Sequence, residues 1–133
     1  MESYFILYVA DQARSAKFYS QVFAAEPRLN VPGMTEFALP SGGVLGLMPQ
    51  AGISALLGAR VPDPTRTDGR PSAELYLLLD EPRTMHRRAV AAGAIEVSPM
   101  QRRDWGHYVA YSLDLDGHVL AFAGAAAEGA SAV

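Results

Sequence analysis

The stretch "DWGHYVAYSLDLDGHVLAFA", residues 104–123, decides the fold of this chain. Its two apolar runs, residues 108–113 and 118–123, have the aromatic and β-branched content that is typical of strands. Between them stands Asp116-Gly117, a dipeptide that favours a tight turn in which glycine adopts a positive φ. The stretch therefore predicts a β-hairpin.

The acidic residues of this turn also resemble part of a calcium-binding loop. Asp114, Asp116 and Gly117 match the start of such a loop, but apolar residues follow where further oxygen ligands and a closing glutamate belong. We therefore predict no calcium site here, and expect an aspartate side chain to accept backbone N–H groups of the turn. His118 is expected to be solvated at the start of its strand.

The residues before the hairpin predict a strand, a helix and a further strand. The strand covers residues 73–79. Pro82 occupies the first helical position, and Gly93 ends a helix over residues 83–92. A short strand follows at residues 95–97, so this half of the chain reads βαβββ.

The first half of the chain has the same order of elements. A buried strand is predicted at residues 4–9, and Asp11 is placed to cap an amphipathic helix over residues 13–25. Turns rich in proline and glycine then separate three short strands, at residues 28–31, 35–39 and 44–48. The two halves of the chain therefore share the same order of strands and helix, although their sequence identity is low.

Residues 49–71 join the two halves and are rich in proline and glycine. They predict a linker that contains at most one helical turn, at residues 53–57. The whole chain, residues 1–133, is predicted to be a single α+β domain. Its parts are module 1 (residues 4–48), the linker (49–71), module 2 (72–123) and a flexible tail (124–133).

Composition excludes several classes of function. The chain has 133 residues, a formal net charge of −3 and no cysteine. We therefore expect no nucleic-acid partner, no anionic membrane surface, no disulfide and no thiolate metal site. The N-terminal apolar stretch is too short for a signal peptide or a membrane span, so a cytoplasmic protein is expected.

Four stretches, in this order and spacing, resemble the vicinal oxygen chelate superfamily, which contains glyoxalases, bleomycin resistance proteins and extradiol dioxygenases. They are "LYVADQARSAKFYSQVFA" (7–24), "GGVLGLM" (42–48), "AELYLLLDEPRTMHRRAVAAGA" (73–94) and the hairpin stretch (104–123). The resemblance implies a fold of two βαβββ modules whose curved mixed sheets surround a cavity.

The resemblance also implies where a metal would be held, at Tyr4, Gly46, Glu74 and Ala121. Enzymes of the family carry histidine, glutamate or sometimes glutamine at these positions. Gly46 and Ala121 have no donor atom, and a tyrosine phenol, with a pKa of about 10, is a poor ligand. A single carboxylate falls short of a catalytic zinc or iron site, so no metal, cofactor or catalytic residue is predicted.

The same positions predict a cavity for a small molecule. Several aromatic residues share strand parity with the supposed metal ligands, and the small residues at two of those positions would leave room for a flat aromatic ligand. Ordinary core packing is the alternative for each residue taken singly. The predicted ligand-binding residues are Tyr4, Tyr8, Gly46, Met48, Glu74, Tyr76, Trp105, Tyr108 and Ala121.

The sequence leaves two placements open for Glu74 and gives an expectation for the histidines. Glu74 either projects into the cavity, where it would favour a cationic ligand, or lies exposed at its rim. Of the histidines, His86 is expected to be exposed on its helix, and only His107 is expected near the mouth of the cavity.

The favoured function is stoichiometric binding of an antibiotic or secondary metabolite, without catalysis, as in the metal-free resistance branch of the superfamily. The resemblance implies a homodimer, with exchange of halves between chains permitted by the long linker. A metal-dependent lyase, isomerase or dioxygenase of the same superfamily is the principal alternative. An interaction module with a filled cavity is a third.

Overall fold

The fold is taken from a computed structural model, which describes residues 1–66 and 68–125, with the side chain of Ser41 excepted. Most of the predicted tail, residues 126–133, lies outside the described residues. The chain divides into two compact units. Unit 1 comprises Met1–Ser20 and Ala24–Arg70, and unit 2 comprises Gln21–Phe23 and the chain from Pro71 onward.

Unit 1 is built on a four-stranded sheet of order β1-β4-β3-β2, in which β1 and β4 are parallel and the other pairs antiparallel. Its elements are β1 (Tyr4–Val9), α1 (Gln12–Phe23), β2 (Leu29–Val31), β3 (Met34–Ala38), β4 (Val44–Pro49) and α2 (Gln50–Leu57). A 3-10 turn at Pro40–Gly42 joins β3 to β4, and another at Gly58–Arg60 follows α2.

Helix α1 begins at the aspartate that the sequence predicts as its cap. Asp11 Oδ1 accepts the backbone N–H of Arg14 at 3.0 Å, which satisfies one of the free donors of the first turn. The ring of Tyr19, which is fully buried, lies 6.4 Å from that of Phe37 on β3. Helix α1 therefore covers one face of the sheet and buries its aromatic side chains there.

The opposite face of the unit 1 sheet carries the alternate residues of each strand. Its central row is Ile6, Gly46 and Glu36, which stand side by side on β1, β4 and β3. We call it the Tyr4 face, and its members are Tyr4, Ile6, Tyr8, Leu29, Val31, Met34, Glu36, Gly46 and Met48.

Unit 2 repeats this arrangement with a four-stranded sheet of order β5-β8-β7-β6, in which β5 and β8 are parallel. Its elements are β5 (Glu74–Leu78), α3 (Pro82–Ala91), β6 (Ile95–Arg102), β7 (Tyr108–Leu113) and β8 (Val119–Gly124). The predicted α+β class with two βαβββ modules is confirmed.

Helix α3 packs on β7 and β8 through a stripe that includes His86. His86 was expected to be exposed, and this was wrong, because its side chain is buried between the helix and the sheet. Its Nδ1 is 3.0 Å from Ser112 Oγ, and its Nε2 is 3.0 Å from Glu96 Oε1. A buried imidazole is tolerated here because both nitrogens have partners.

The other face of the unit 2 sheet is turned away from α3, and we call it the Tyr76 face. Its central row is Tyr76, Ala121 and Tyr111, on β5, β8 and β7. The remaining members are Glu74, Leu78, Val109, Val119 and Ala123.

Two elements are several residues longer than the sequence predicts. Helix α2 extends over Gln50–Leu57 and buries Ile53, where at most one helical turn was expected. Strand β6 continues to Arg102 through register shifts on either side of Ser98, whereas residues 95–97 were predicted. Proline within β6 hides its alternation from pattern reading. Among the described residues, no helix is long and apolar enough to span a membrane.

Candidate functional site

The hairpin between β7 and β8 is a turn built around Asp114. Asp114 Oδ1 accepts the backbone N–H of Asp116 at 2.9 Å and that of His118 at 2.8 Å, and Gly117 has a φ of 88°. Possible ligand atoms of the two aspartates and the histidine lie within 4.8 Å of one another. The predicted turn is confirmed, with His118 half-buried rather than solvated.

The four positions that the family uses for its metal do not supply a metal site here. Tyr4 Oη accepts a hydrogen bond from Arg28 Nη2 at 2.6 Å, and a guanidinium at this distance repels a cation. Glycine and alanine occupy two of the other positions and offer no donor atom. Glu74, the remaining one, is an exposed carboxylate at the start of β5. This donor set does not fit a divalent catalytic metal.

The small residues at Gly46 and Ala121 both lie among packed side chains of their own sheets. A Cβ added at Gly46 would collide with Ile6 Cδ1 and would lie 3.3 Å from Met34 Sδ. Ala121 is fully buried, and Tyr76 and Tyr111 pack against the cluster that contains it. In the unit 1 sheet, side chains of the two neighbouring strands thus lie where a longer side chain at position 46 would begin.

An anchored aromatic cluster stands on the Tyr76 face. Trp105 Nε1, in the connection between β6 and β7, donates a hydrogen bond to Tyr76 Oη at 2.9 Å. The Tyr76 hydroxyl also lies 2.6 Å from His107 Nδ1, and the centres of the Tyr76 and His107 rings are 5.8 Å apart. Trp105 remains 57% exposed although its indole N–H group is hydrogen-bonded. An exposed but oriented aromatic ring is suited to stacking.

Tyr111 and Arg103 extend this cluster. The guanidinium carbon of Arg103 lies 5.1 Å from the centre of the Tyr111 ring, and its Nη2 donates to Val109 O and Ser98 Oγ, both at 2.8 Å. Burial raises the pKa of the Tyr111 phenol, the negative charge of Glu74 raises it further, and Arg103 opposes the rise. The Tyr76 face therefore combines a carboxylate, a guanidinium and three aromatic rings.

The structure divides the predicted site residues between the two units. Glu74, Tyr76, Ala121 and Trp105 come together at the Tyr76 face of unit 2. A second group of four, Tyr4, Tyr8, Gly46 and Met48, lies on the Tyr4 face of unit 1.

Tyr108 joins neither group. It has the same strand parity as Ser112, whose hydroxyl contacts His86 of α3, so Tyr108 belongs to the opposite face of the unit 2 sheet. The alternation of β7 could have assigned Tyr111, and not Tyr108, to the face of Tyr76.

Two charged residues on the Tyr4 face were not predicted from the sequence as functional residues. Arg28 and Glu36 form an ion pair of 3.0 Å on the Tyr4 face. No local motif marks either residue, because the pair joins β3 to the segment before β2. Only strand register brings the two side chains together.

The chain is similar to known proteins in its sequence pattern and in its fold. The sequence profile described as the Glyoxalase/Bleomycin resistance protein/Dioxygenase superfamily matches residues 3–122. No curated protein sequence matches the chain.

Solved structures of the same fold are similar to the chain over almost its whole length. A glyoxalase-related enzyme from Fulvimarina pelagi is 24% identical, with a TM-score of 0.77 over 93% of this chain and 87% of that one. A glyoxalase/bleomycin resistance protein/dioxygenase family enzyme from Burkholderia phytofirmans is 18% identical, with a TM-score of 0.77 over 93% and 98% of the two chains. A glyoxalase/bleomycin resistance protein/dioxygenase from Nocardioides is 20% identical, with a TM-score of 0.73 over 93% and 82%. At these identities the likeness shows a shared fold.

Proposed function

The chain belongs to the Glyoxalase/Bleomycin resistance protein/Dioxygenase superfamily, and from this premise we propose that it binds a planar aromatic small molecule on its Tyr76 face without catalysis. The observation that carries the proposal is the exposed ring of Trp105, which a hydrogen bond to Tyr76 holds in place. Because the ring is already ordered, it loses little conformational freedom when a ligand stacks on it.

The chemistry of the family's metal positions supports binding over metal-dependent turnover. Tyr4 is engaged by a guanidinium, and Gly46 and Ala121 have no donor atoms. A lyase, isomerase or dioxygenase of this fold needs several protein ligands around its metal. The donor set does not provide them.

The charges on the Tyr76 face bear on the choice of ligand. Glu74 is exposed and has no ion-pair partner among the described residues, so it is available to a ligand ammonium group. Arg103 is committed to backbone and side-chain acceptors beside Tyr111. A planar aromatic compound that carries a cationic group fits this surface best.

We extend the proposal to sequestration of an antibiotic or secondary metabolite, in which protection follows from affinity and abundance. The protein would act in the cytoplasm, since a chain without cysteine makes no use of an oxidising compartment. It would do so as a homodimer, with or without exchange of halves.

The sole tryptophan makes the proposal directly testable. Doxorubicin and ciprofloxacin, which are planar and aromatic, are titrated into the protein, with the non-aromatic cation kanamycin as the control ligand. We expect saturable quenching of Trp105 fluorescence at one ligand per chain by an aromatic compound, and none by kanamycin.

Calorimetry on variants then locates the site. Tyr76→Phe removes the acceptor of the Trp105 hydrogen bond and is expected to weaken binding several-fold, whereas Tyr108→Phe, on the opposite face, should leave it unchanged. Equal effects of the two variants, or no quenching by either drug, would contradict the proposal. So would metal that is retained in purification and supports turnover until a chelator removes it.

A further inference from the structure

A second charged group, on the Tyr4 face of unit 1, has no role in the proposed function. Arg28 lies just before β2, and its Nε donates to Glu36 Oε1 at 3.0 Å. The Glu36 side chain is only 11% exposed. A buried carboxylate needs such a partner, so the Nε–H group of Arg28 contributes to the stability of the fold.

The outer half of the same guanidinium holds a different carboxylate. Arg28 Nη1 and Nη2 donate to Glu2 Oε2 and Oε1, each at 3.1 Å, which is the two-pronged geometry of an arginine–carboxylate pair. Glu2 precedes β1 and its side chain is 49% exposed. Hydrogen bonding from Arg28 lowers the pKa of the Glu2 carboxyl, so the group is ionised and paired near neutral pH.

The two carboxylates differ in how firmly they are bound. Glu36 already balances the single positive charge of Arg28, so Glu2 adds a second negative charge to the group. Exposed ion pairs contribute little to stability because water screens them and their side chains lose freedom. The Glu2 carboxylate is half exposed and can be solvated by water when it leaves the fork, whereas Glu36 would be left buried without its partner.

The surroundings of the fork are apolar and open. The guanidinium carbon lies 5.3 Å from the centre of the Tyr4 ring, which is 46% exposed. On the adjacent strand β2, Leu29 is 38% exposed and Val31 is 45% exposed, and strand register places both on the Tyr4 face. A molecule whose anionic group entered the fork would rest its apolar part on these side chains.

We propose that the outer fork of Arg28 is a binding subsite for a carboxylate joined to an apolar or aromatic body, and that Glu2 occupies it in the unliganded chain. Glu2 acts as an internal competitor that a ligand carboxylate displaces. The planar fork matches a carboxylate, with two parallel N–H···O bonds. This subsite is argued from unit 1 residues alone, and its test does not depend on ligand binding at the Tyr76 face.

Benzoate is the probe, with benzamide as its neutral counterpart of the same shape. Binding is followed by shifts of backbone amide signals in ¹H–¹⁵N spectra of the whole chain. We expect benzoate to shift the amides around Arg28 and Glu2 saturably, and benzamide to leave them unmoved. Equal shifts by the two compounds, or benzoate shifts that avoid this segment, would overturn the proposal.

Removal of the competitor should tighten binding. Glu2→Gln abolishes the internal carboxylate charge, and we expect it to lower the Kd for benzoate roughly two- to fivefold, the range set by relief of one exposed ion pair. Asp68→Asn is the matched control, because it removes one negative charge from another exposed pair, with Arg70 at 2.8 Å. An unchanged Kd in Glu2→Gln, or an equal gain in Asp68→Asn, contradicts the proposal.

Arg28→Lys keeps the charge and loses the fork. We expect it to abolish the benzoate shifts while the rest of the amide spectrum retains its folded pattern. Retention of wild-type affinity in this variant would also rule out the subsite. If the variant does not fold, Glu2→Gln still decides the question, since it alters only an exposed side chain.

Discussion

The resemblance implies a metal ligand at position 46, where this chain has glycine. The side chains of Ile6 and Met34 lie beside this glycine. These side chains converge on the point where a Cβ would project from Gly46, so close packing, and not backbone conformation, favours glycine here. Ala121 is fully buried, and Tyr76 and Tyr111 pack against the cluster that contains it.

This packing predicts a coupling between two neighbouring residues. Gly46→Ala should lower the free energy of unfolding by about 1 kcal/mol, because the added methyl group overpacks a filled site. Ile6→Val removes the Cδ1 atom that the methyl group would meet. In urea unfolding, the double variant is expected to lose less stability than the two single variants together. Strict additivity would show that the two side chains do not compete for this space.

At the scale of elements, the strand-and-helix pattern was predictable because local chemistry specifies it. Asp11 caps α1 and Asp114 organises the β7–β8 turn, as expected from the sequence. The predictions that were wrong concern segments that have no clear cap, turn or periodic pattern. Helix α2 lies in a proline- and glycine-rich segment and is stabilised by burial of Ile53. No periodic pattern of apolar residues predicts this helix.

The cap of α1 provides a test at this scale. Asp11→Ala removes the acceptor for the Arg14 N–H group and should cost about 1 kcal/mol of stability, whereas Asp11→Asn retains an acceptor oxygen and should cost much less. Thermal unfolding followed by circular dichroism measures both. Equal destabilisation by the two substitutions would mean that the cap is not the reason this residue matters.

At the scale of the whole molecule, each sheet ends in an edge strand with exposed apolar side chains. β1 is the edge of the unit 1 sheet and exposes 44% of Phe5, and β5 is the edge of the unit 2 sheet and exposes 52% of Leu78. Exposed edges of this kind favour association, because their N–H and C=O groups can pair with another chain. This supports the proposed homodimer.

We expect sedimentation equilibrium at micromolar concentration to give twice the mass of the chain. Phe5→Glu places a charge on the β1 edge and should shift the protein toward the monomer, whereas Val90→Glu, on the exposed surface of α3, should not. A wild-type monomer, or the reverse ranking of the two variants, would contradict the proposed association.

The sequence by itself determined the order of elements, the repeat of βαβββ modules and the loss of donor atoms at Gly46 and Ala121. The elements and their repeat follow from periodicity, caps and turns, which are local properties of the chain, whereas the two positions without donor atoms follow from the resemblance to the superfamily. It also identified Tyr76 and Trp105 as candidate ligand-binding residues and placed His107 near the mouth of the cavity, without the hydrogen bonds that join the three.

Only the tertiary structure decided which spaces are filled and which charges meet. The Ile6 side chain beside Gly46, the burial of His86 and the pairing of Arg28 with Glu2 and Glu36 all join residues distant in sequence. Such contacts depend on strand register and on the volume of neighbouring side chains. The number and identity of donor atoms can be read along a chain, but the space around them is fixed only when the sheets form.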